Sequence, residues 1–459
     1  MGVSSGARAN PLTGAGRHRL AQVALAHPVR TVILVHLVSR IVAWLVREVA
    51  ARGFQNPAGV DTLDPTAVDL LPLWDSKWYE RIARHGYPVP LPLDPQTGRF
   101  TYSAWAFYPL FPLLMRGLDA IGVPFIAGAL VLNVVLSTLA AVLIWATLHQ
   151  GTHADPQPQR ARLALVAACL WSFYPATPVM LKPYTEALAM VLIAASLWAL
   201  LRRRYLLVAL LSVPLGFTRG VAPALGLAAL VHLVVRWRED RRAGLDPLRG
   251  ARVAAVVMLV MTGLSGVAWP LVAGCVSGIP SAFFEVQAAW GMQPSAGPFT
   301  LWLQWAWDSK GVLGVIVIVG LVATYISLIA GRHGRWIPVE VRAWAIAYPI
   351  YLFAVVRPIT SMWRFLLLDF PLAALAASVA MRTSNGSQVV PHWRRRVGIV
   401  VLLLLIGMLW WSSSLLTYTP WGSRPPGADD FAHRDRHGIM GATGPRMVQV
   451  GPLSPGGSL

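Results

Sequence analysis

The feature that most constrains this chain is a series of apolar runs, each at or near the length that crosses a bilayer. Spanning a hydrocarbon core as a helix takes about 20 predominantly apolar residues. Eleven such runs lie near 31–48, 122–149, 162–180, 185–201, 205–219, 221–236, 252–274, 311–330, 342–356, 363–381 and 397–416, with 205–219 and 342–356 short. In lipid every backbone N–H and C=O must be satisfied within the element, so these runs predict helices. The fold class expected is an all-α polytopic membrane protein with about 11 transmembrane helices. Composition agrees, with 56% hydrophobic and 13% charged residues against about 45–50% and about 25% in soluble domains. A soluble enzyme, a disordered chain and a secreted disulfide scaffold are excluded. Cys169 and Cys275 form neither a disulfide framework nor a metal spacing.

The net charge of +19 would suggest nucleic acid in a soluble protein, but here the cations are dispersed between apolar runs, so no nucleic-acid partner is expected. Dispersal of this kind follows the positive-inside rule. With the N-terminus cytoplasmic, the inside segments take most of the Lys and Arg. The four short outside loops hold only Lys182, Arg219, Lys310, Arg357 and Arg364. The C-terminus is then extracytoplasmic. The run 31–48, interrupted by Arg40 and Arg47, reads as a retained first helix rather than a signal peptide.

The segment 104–118 is apolar but carries Pro109 and Pro112, each of which removes a backbone donor. It is assigned as a re-entrant or interfacial part of a long first outside loop, 49–121. The organisation expected is a cytoplasmic segment 1–30, a membrane domain 31–416 in the cell membrane, and a flexible extracytoplasmic tail 417–459 rich in Pro and Gly.

Ionisable residues near a membrane are costly unless paired or hydrated, so their placement is informative. The outside face collects Asp75, Lys77, Glu80, Arg81, Arg84 and His85, then Lys182 and Glu186, then Arg219, Asp308, Lys310, Arg357, Arg364 and Asp369. Carboxylates amid cations, open to water and to lipid, suit a substrate with a phosphate head and an apolar tail.

Trp74–Tyr87 reads as a short amphipathic helix with Trp74, Trp78 and Ile82 on an apolar stripe at the interface. Glu80 can pair with Arg84 one turn on, and Gly86 ends the helix. Asp75 at its start is either a dipole-complementing cap or a general base beside a phosphate site. Arg219, Arg357 and Arg364 are either snorkelling helix-end residues or phosphate-binding forks. Lys182 and Glu186, one turn apart, read as a local ion pair. The tetrapeptide Trp74-Asp75-Ser76-Lys77 recurs as Trp307-Asp308-Ser309-Lys310. No Walker loop, GxGxxG or HExxH occurs, which removes ATP-driven pumping and a nucleotide-binding fold from this chain.

The stretch from Trp74 to Tyr87 resembles the W-D-x-x-W-Y-x-x-I-A-x-x-G-Y pattern of the second mannosyltransferase of glycosylphosphatidylinositol assembly and its bacterial relatives. Ala106–Leu113 is similar to that family's F-F-P-L-Y-P-L element. Phe173-Tyr174-Pro175 with Pro183-Tyr184-Thr185-Glu186 resembles its F-P-A…Y-S/T-E element, and Phe217-Thr218-Arg219-Gly220 its L-T-R-x-x-G. Ser361–Phe365 with Phe370-Pro371 looks like its S-M-x-R-Y…F-P element. Phe365 in place of Tyr and Gly220 in place of Pro depart mildly.

The resemblance, over about 70–371, implies a membrane glycosyltransferase of the C-type fold that takes a sugar, usually mannose, from a polyprenyl-phosphate donor. By position it implies Asp75 as base and transfer with inversion. Arg219 and Arg364, with Arg357 and Lys77 beside them, would hold donor phosphate. Tyr184 and Glu186 would shape the acceptor side, with Trp74, Trp78, Tyr79 and Lys182 lining the substrate and Asp308 as the reserve carboxylate. The acceptor would be a glycolipid or glycan. No cofactor or metal is implied; activity lost in EDTA and restored by Mg²⁺ or Mn²⁺ would overturn metal independence. The competing class is a transporter or flippase of a lipid-linked or anionic solute, marked by charges at mid-membrane in broken helices. A non-catalytic lipid-binding scaffold would tolerate loss of Asp75.

Overall fold

A computed structural model describes residues 24–60, 62–150, 157–292, 297–383 and 388–418. Most of segment 1–30 and nearly all of the tail 417–459 lie outside the described residues. Each apolar run carries helix. In chain order the helices are α1 (Pro28–Phe54), α2 (Asp75–His85), α3 (Leu110–Asp119), α4 (Phe125–His149), α5 (Gln157–Ser172) and α6 (Glu186–Leu201). Then come α7 (Tyr205–Gly216), α8 (Ala222–Arg242), α9 (Arg252–Ser277), α10 (Ala282–Ala289), α11 (Thr300–Ala330), α12 (Val339–Val355), α13 (Met362–Leu366), α14 (Pro371–Met381) and α15 (Trp393–Trp411). Strand structure among the described residues is limited to isolated bridges at Leu93–Phe100 and Arg382–Val389. Five helical segments are long and apolar enough to cross a membrane: α1, α4, α9, α11, and α15 with its continuation to Leu416. The protein is an all-α membrane protein.

Several boundaries differ from expectation, for identifiable reasons. The run 162–180 stays α-helical only to Ser172; Pro175 and Pro178 cannot continue the ladder, and a 3₁₀ turn covers Thr177–Leu181. The run 363–381 is split, because Pro371, which has no N–H to donate, opens a new helix. Segment 104–118 forms a 3₁₀ turn at Ala104–Ala106 and the short helix α3, where Pro112 falls in the first turn and costs no hydrogen bond. Residues 307–310, expected in an outside loop, are helical within α11, which kinks at Lys310–Gly311. The eight-residue α10 was too short to register as a periodic run.

Helix α1 is amphipathic in the inverted sense that a lipid-facing helix requires. Its buried stripe contains Val32, His36, Arg40, Ala43 and Arg47, while Leu34, Val38, Ile41, Leu45 and Val49 point outward and are exposed. Apolar groups meet lipid, and the polar groups are turned into protein where they find partners. His36 lies between the hydroxyls of Ser172 and Ser137, at 3.0 Å from each.

Arg40 donates to the carbonyls of Ser172 (2.7 Å) and Thr177 (2.9 Å), and Arg47 to that of Leu181 (2.9 Å). The Ser172 and Leu181 carbonyls are ones that a helix end and a single 3₁₀ turn leave without backbone partners. On α4, the buried Asn133 amide donates to the carbonyls of Lys182 (2.6 Å) and Tyr184 (3.1 Å). Three side chains embedded in apolar helices thus fix the non-helical stretch 173–185 ahead of Glu186.

A second non-helical stretch, between α13 and α14, is fixed in the same way. Tyr348 donates to the carbonyl of Phe365, Trp171 to that of Leu367 and Trp344 to that of Leu368, at 2.9, 3.1 and 3.2 Å. Irregular backbone at membrane depth persists only where protein satisfies it, and here it is satisfied carbonyl by carbonyl.

Candidate active site

The two tied stretches adjoin Glu186 and Arg364, which meet Asp75 and Arg219 in one place. Arg364 on α13 donates to Asp75 Oδ2 at 2.5 Å and lies 3.3 Å from Glu186 Oε1. Arg219 donates to the same Glu186 oxygen at 2.7 Å and to Thr185 Oγ1 at 3.2 Å. Two carboxylates and two guanidiniums therefore alternate in one chain of contacts, Asp75–Arg364–Glu186–Arg219. It is graded in depth: the Glu186 side chain is 1% exposed and Asp75 25%. Burial opposes the charge on Arg364, but Asp75 and then Glu186 outweigh it and raise the pKa of the guanidinium above its ordinary range.

Aromatic rings frame the cluster. Arg364 lies over the rings of Tyr184 and Phe365 at 5.0 and 5.1 Å, and Arg219 over Phe365 at 5.0 Å. Such cation–ring contacts hold a guanidinium flat without consuming its edge donors. The Tyr184 hydroxyl accepts from the backbone N–H of Asp75 at 3.2 Å. Burial, and then Asp75, push its phenol pKa up, so the neutral hydroxyl keeps its proton to donate. Tyr79 reaches Thr185 at 3.4 Å. Gly220 sits under the Tyr108 hydroxyl, which a Cβ there would meet at 2.5 Å; this close approach accounts for glycine at that position.

The expected site residues divide clearly. Asp75, Glu186, Arg219, Arg364, Tyr184 and Tyr79 come together. Asp75 opens α2 without capping it; its carboxylate goes to Arg364. The Lys182–Glu186 pair does not form: Lys182 is fully buried and donates to the Leu70 carbonyl at 2.6 Å, while Glu186 takes two arginines. Burial pulls the Lys182 ammonium well below its ordinary pKa. Arg219 and Arg364 are not snorkelling but paired inward.

Lys77 is exposed and has no contact with the cluster. Trp74 turns away, its indole N–H donating to the Leu416 carbonyl at 3.0 Å. Trp78 packs on Phe107 and Trp290. The face that α2 buries is Ser76, Tyr79, Ile82 and Ala83 rather than the expected Trp74–Trp78–Ile82 stripe, with Tyr79 packed edge-on against Phe107, Phe111 and Tyr184. Arg116 of α3 donates to the Ala83 and Ile82 carbonyls in the last turn of α2. The Glu80–Arg84 pair forms at 2.8 Å on the surface. Arg357 lies apart, against Gly291. Asp308 is exposed on α11 with no ion pair among the described residues. Asn133 and Arg116 were missed, although a lone amide within an apolar run is a legible signal.

No family model matches the sequence, nor does any curated protein. Among solved structures, the chain is similar to the archaeal oligosaccharyltransferase AglB from Archaeoglobus fulgidus in complex with an inhibitory peptide and a dolichol-phosphate, at 14% identity and TM-score 0.42, covering 84% of this chain and 56% of that one. The apo form of the Archaeoglobus fulgidus oligosaccharyltransferase matches at 14% identity and TM-score 0.41, covering 87% and 59%. This chain spans somewhat over half the length of those proteins. The likeness to the glycosylphosphatidylinositol mannosyltransferase family rests on the motifs alone.

Proposed function

We propose that this protein is an integral-membrane glycosyltransferase. It moves a sugar, mannose by the motif resemblance, from a polyprenyl-phosphate donor to a hydroxyl of a glycolipid or glycan. The observation that carries the reading is the alternating cluster Asp75–Arg364–Glu186–Arg219. A phosphodiester competes with Asp75 and Glu186 for the two arginines, whose planar forks suit phosphate oxygens. As Arg364 swings to the phosphate, the Asp75 carboxylate is freed to take the proton of the acceptor hydroxyl. The acceptor oxygen bonds to the anomeric carbon from the face opposite the phosphate, the carbon–phosphate-oxygen bond breaks, and the configuration inverts. Arg219 and Arg364 stabilise the phosphate as it leaves.

In this reading Tyr184, Tyr79 and Glu186 position substrate. Residues 31–416 form the catalytic membrane unit, with the site facing outward, the N-terminus cytoplasmic and the C-terminus outside. A transporter would carry charges at mid-membrane; Arg40 and Arg47, the charges within the first apolar run, instead donate to backbone carbonyls. The test uses protein in nanodiscs with labelled polyprenyl-phosphate mannose and host lipid extract. Transfer by the wild type that disappears in Asp75→Asn, with donor binding kept, is expected. Transfer persisting in Asp75→Asn overturns the base assignment. Label that stays on the donor, for mannose and for other polyprenyl-linked sugars alike, overturns the transferase.

A further inference from the structure

The cluster leaves out two of the expected phosphate ligands, Lys77 and Arg357; Lys77 is exposed, whereas the surroundings of Arg357 give it a different task. Its guanidinium lies flat on Gly291: the CZ, NH1 and Nε atoms stand 2.8, 3.0 and 3.1 Å from where a Cβ at 291 would be. Gly291 has φ +81°, so the close approach depends on a residue without a side chain. Arg357 is half-buried, its Nε is enclosed without an acceptor, and no carboxylate pairs with it among the described residues. The neighbouring Trp290 indole N–H is likewise enclosed without an acceptor among the described residues. Buried donors without acceptors are rare and need a reason.

Trp290 joins this place to the site. Its ring packs on Trp78 and Phe107 at 5.5 Å each, and Trp78 stands one turn beyond Asp75 on α2. On that same α2 surface Arg81, exposed and without a carboxylate partner among the described residues, lies over Trp78 at 5.8 Å. An aromatic wall thus runs from the proposed base to a patch where, among the described residues, neither Arg357 nor Arg81 has a carboxylate partner. In the cluster each guanidinium is offset by a carboxylate; here neither is.

We propose that Arg357, with Trp290 and Arg81, forms a second anion-binding subsite, which holds an acidic group on the sugar headgroup of the acceptor while Arg219 and Arg364 hold the donor phosphate. The proposal rests on the transferase reading for the word acceptor, but its test reads binding alone. Protein in phosphatidylcholine nanodiscs is loaded with glucuronosyl-diacylglycerol or glucosyl-diacylglycerol, which differ only in the acidic group, and retained lipid is counted by native mass spectrometry. The wild type retains the acidic lipid about tenfold better, the scale of one charge-assisted hydrogen bond. Arg357→Gln abolishes the preference, Arg357→Lys keeps part of it as a check on folding, and Arg364→Gln leaves it intact. Equal retention of the two lipids by the wild type overturns the subsite, as does a preference that survives Arg357→Gln. A preference lost instead in Arg364→Gln assigns the anion to the donor pair and overturns it too. A chain that showed the preference but never transferred sugar would keep the subsite and lose the transferase.

Discussion

The same four residues, Trp-Asp-Ser-Lys, occur at 74–77 and at 307–310 and meet opposite fates. In the first copy Asp75 opens a short helix, is three-quarters covered and is gripped by Arg364 at 2.5 Å. In the second, Asp308 lies within the long helix α11, exposed and without an ion pair among the described residues. The difference comes from what surrounds each copy. In the most apolar stretch of α11 only 6% of the residues are buried, so this helix presents much of its surface outward. The first copy faces two irregular stretches whose carbonyls are tied down by Arg40, Arg47, Asn133, Trp171, Trp344 and Tyr348. A carboxylate becomes a candidate base because distant backbone is held in place to bring it Arg364.

The contrast is broken most sharply by removing each carboxylate. Asp75→Asn is expected to lower the transfer rate by about 10²–10⁴, the range for a positioned general base. Asp308→Asn, at an exposed position, leaves it within about twofold. Initial rates in nanodiscs check both, and comparable losses from the two variants would return Asp308 to the site.

Removing the cations comes next in size. Arg364→Gln takes away a charged donor shared by Asp75 and Glu186, and is expected to raise the KM for the donor by about 10–100-fold, as loss of one or two charge-assisted hydrogen bonds does. Lys310→Gln, beside Asp308, changes it little. A KM unmoved in Arg364→Gln would mean that phosphate binds elsewhere.

These differences were only partly legible in the sequence. Helices follow from apolar length, because a bilayer allows little else, and the runs were readable for that reason. Asp75, Glu186, Arg219 and Arg364 were readable as motif residues. That Asp75 meets Arg364, 289 positions away, was not, since periodicity reports faces and not partners. Nor was the role of Arg40 and Arg47 legible: an arginine in an apolar run looks alike whether it lines a solute path or caps a carbonyl. Lys182 misled for the converse reason. Its spacing to Glu186 allowed a local pair, but stronger, non-local partners claimed both residues.

Removing a tie should reach the site indirectly. Arg40→Met leaves the Ser172 carbonyl bare, at a cost of about 1–3 kcal/mol, and takes a second donor from the Thr177 carbonyl. The expected result is a lower Tm in nanodiscs together with a reduced transfer rate, whereas Leu34→Met on the exposed face of the same helix changes neither. A Tm drop with an unchanged rate would show that the 173–185 stretch holds its shape without that tie.

The smallest effect separates the two tryptophans that open each copy. Trp74 has φ +63°, a conformation costly for a bulky residue, and its indole N–H donates to Leu416. Strain of this kind costs about 1–3 kcal/mol and persists only where surrounding contacts hold it; here the holding contacts are that hydrogen bond and the edge-on ring of Tyr418. The turn at Trp74 sets the direction in which α2 departs, and so where Asp75 points. Trp307 is 59% exposed within a regular turn of helix and holds nothing comparable. Trp74→Phe keeps a ring but loses the hydrogen bond, so stability should fall by about 0.5–1.5 kcal/mol, while Trp307→Phe stays within about 0.5 kcal/mol. If the Trp74→Phe loss appears with an unchanged rate, the strained turn supports the fold alone. A rate that falls with it makes Trp74 a positioning residue for Asp75, a role that its twin at 307 does not share.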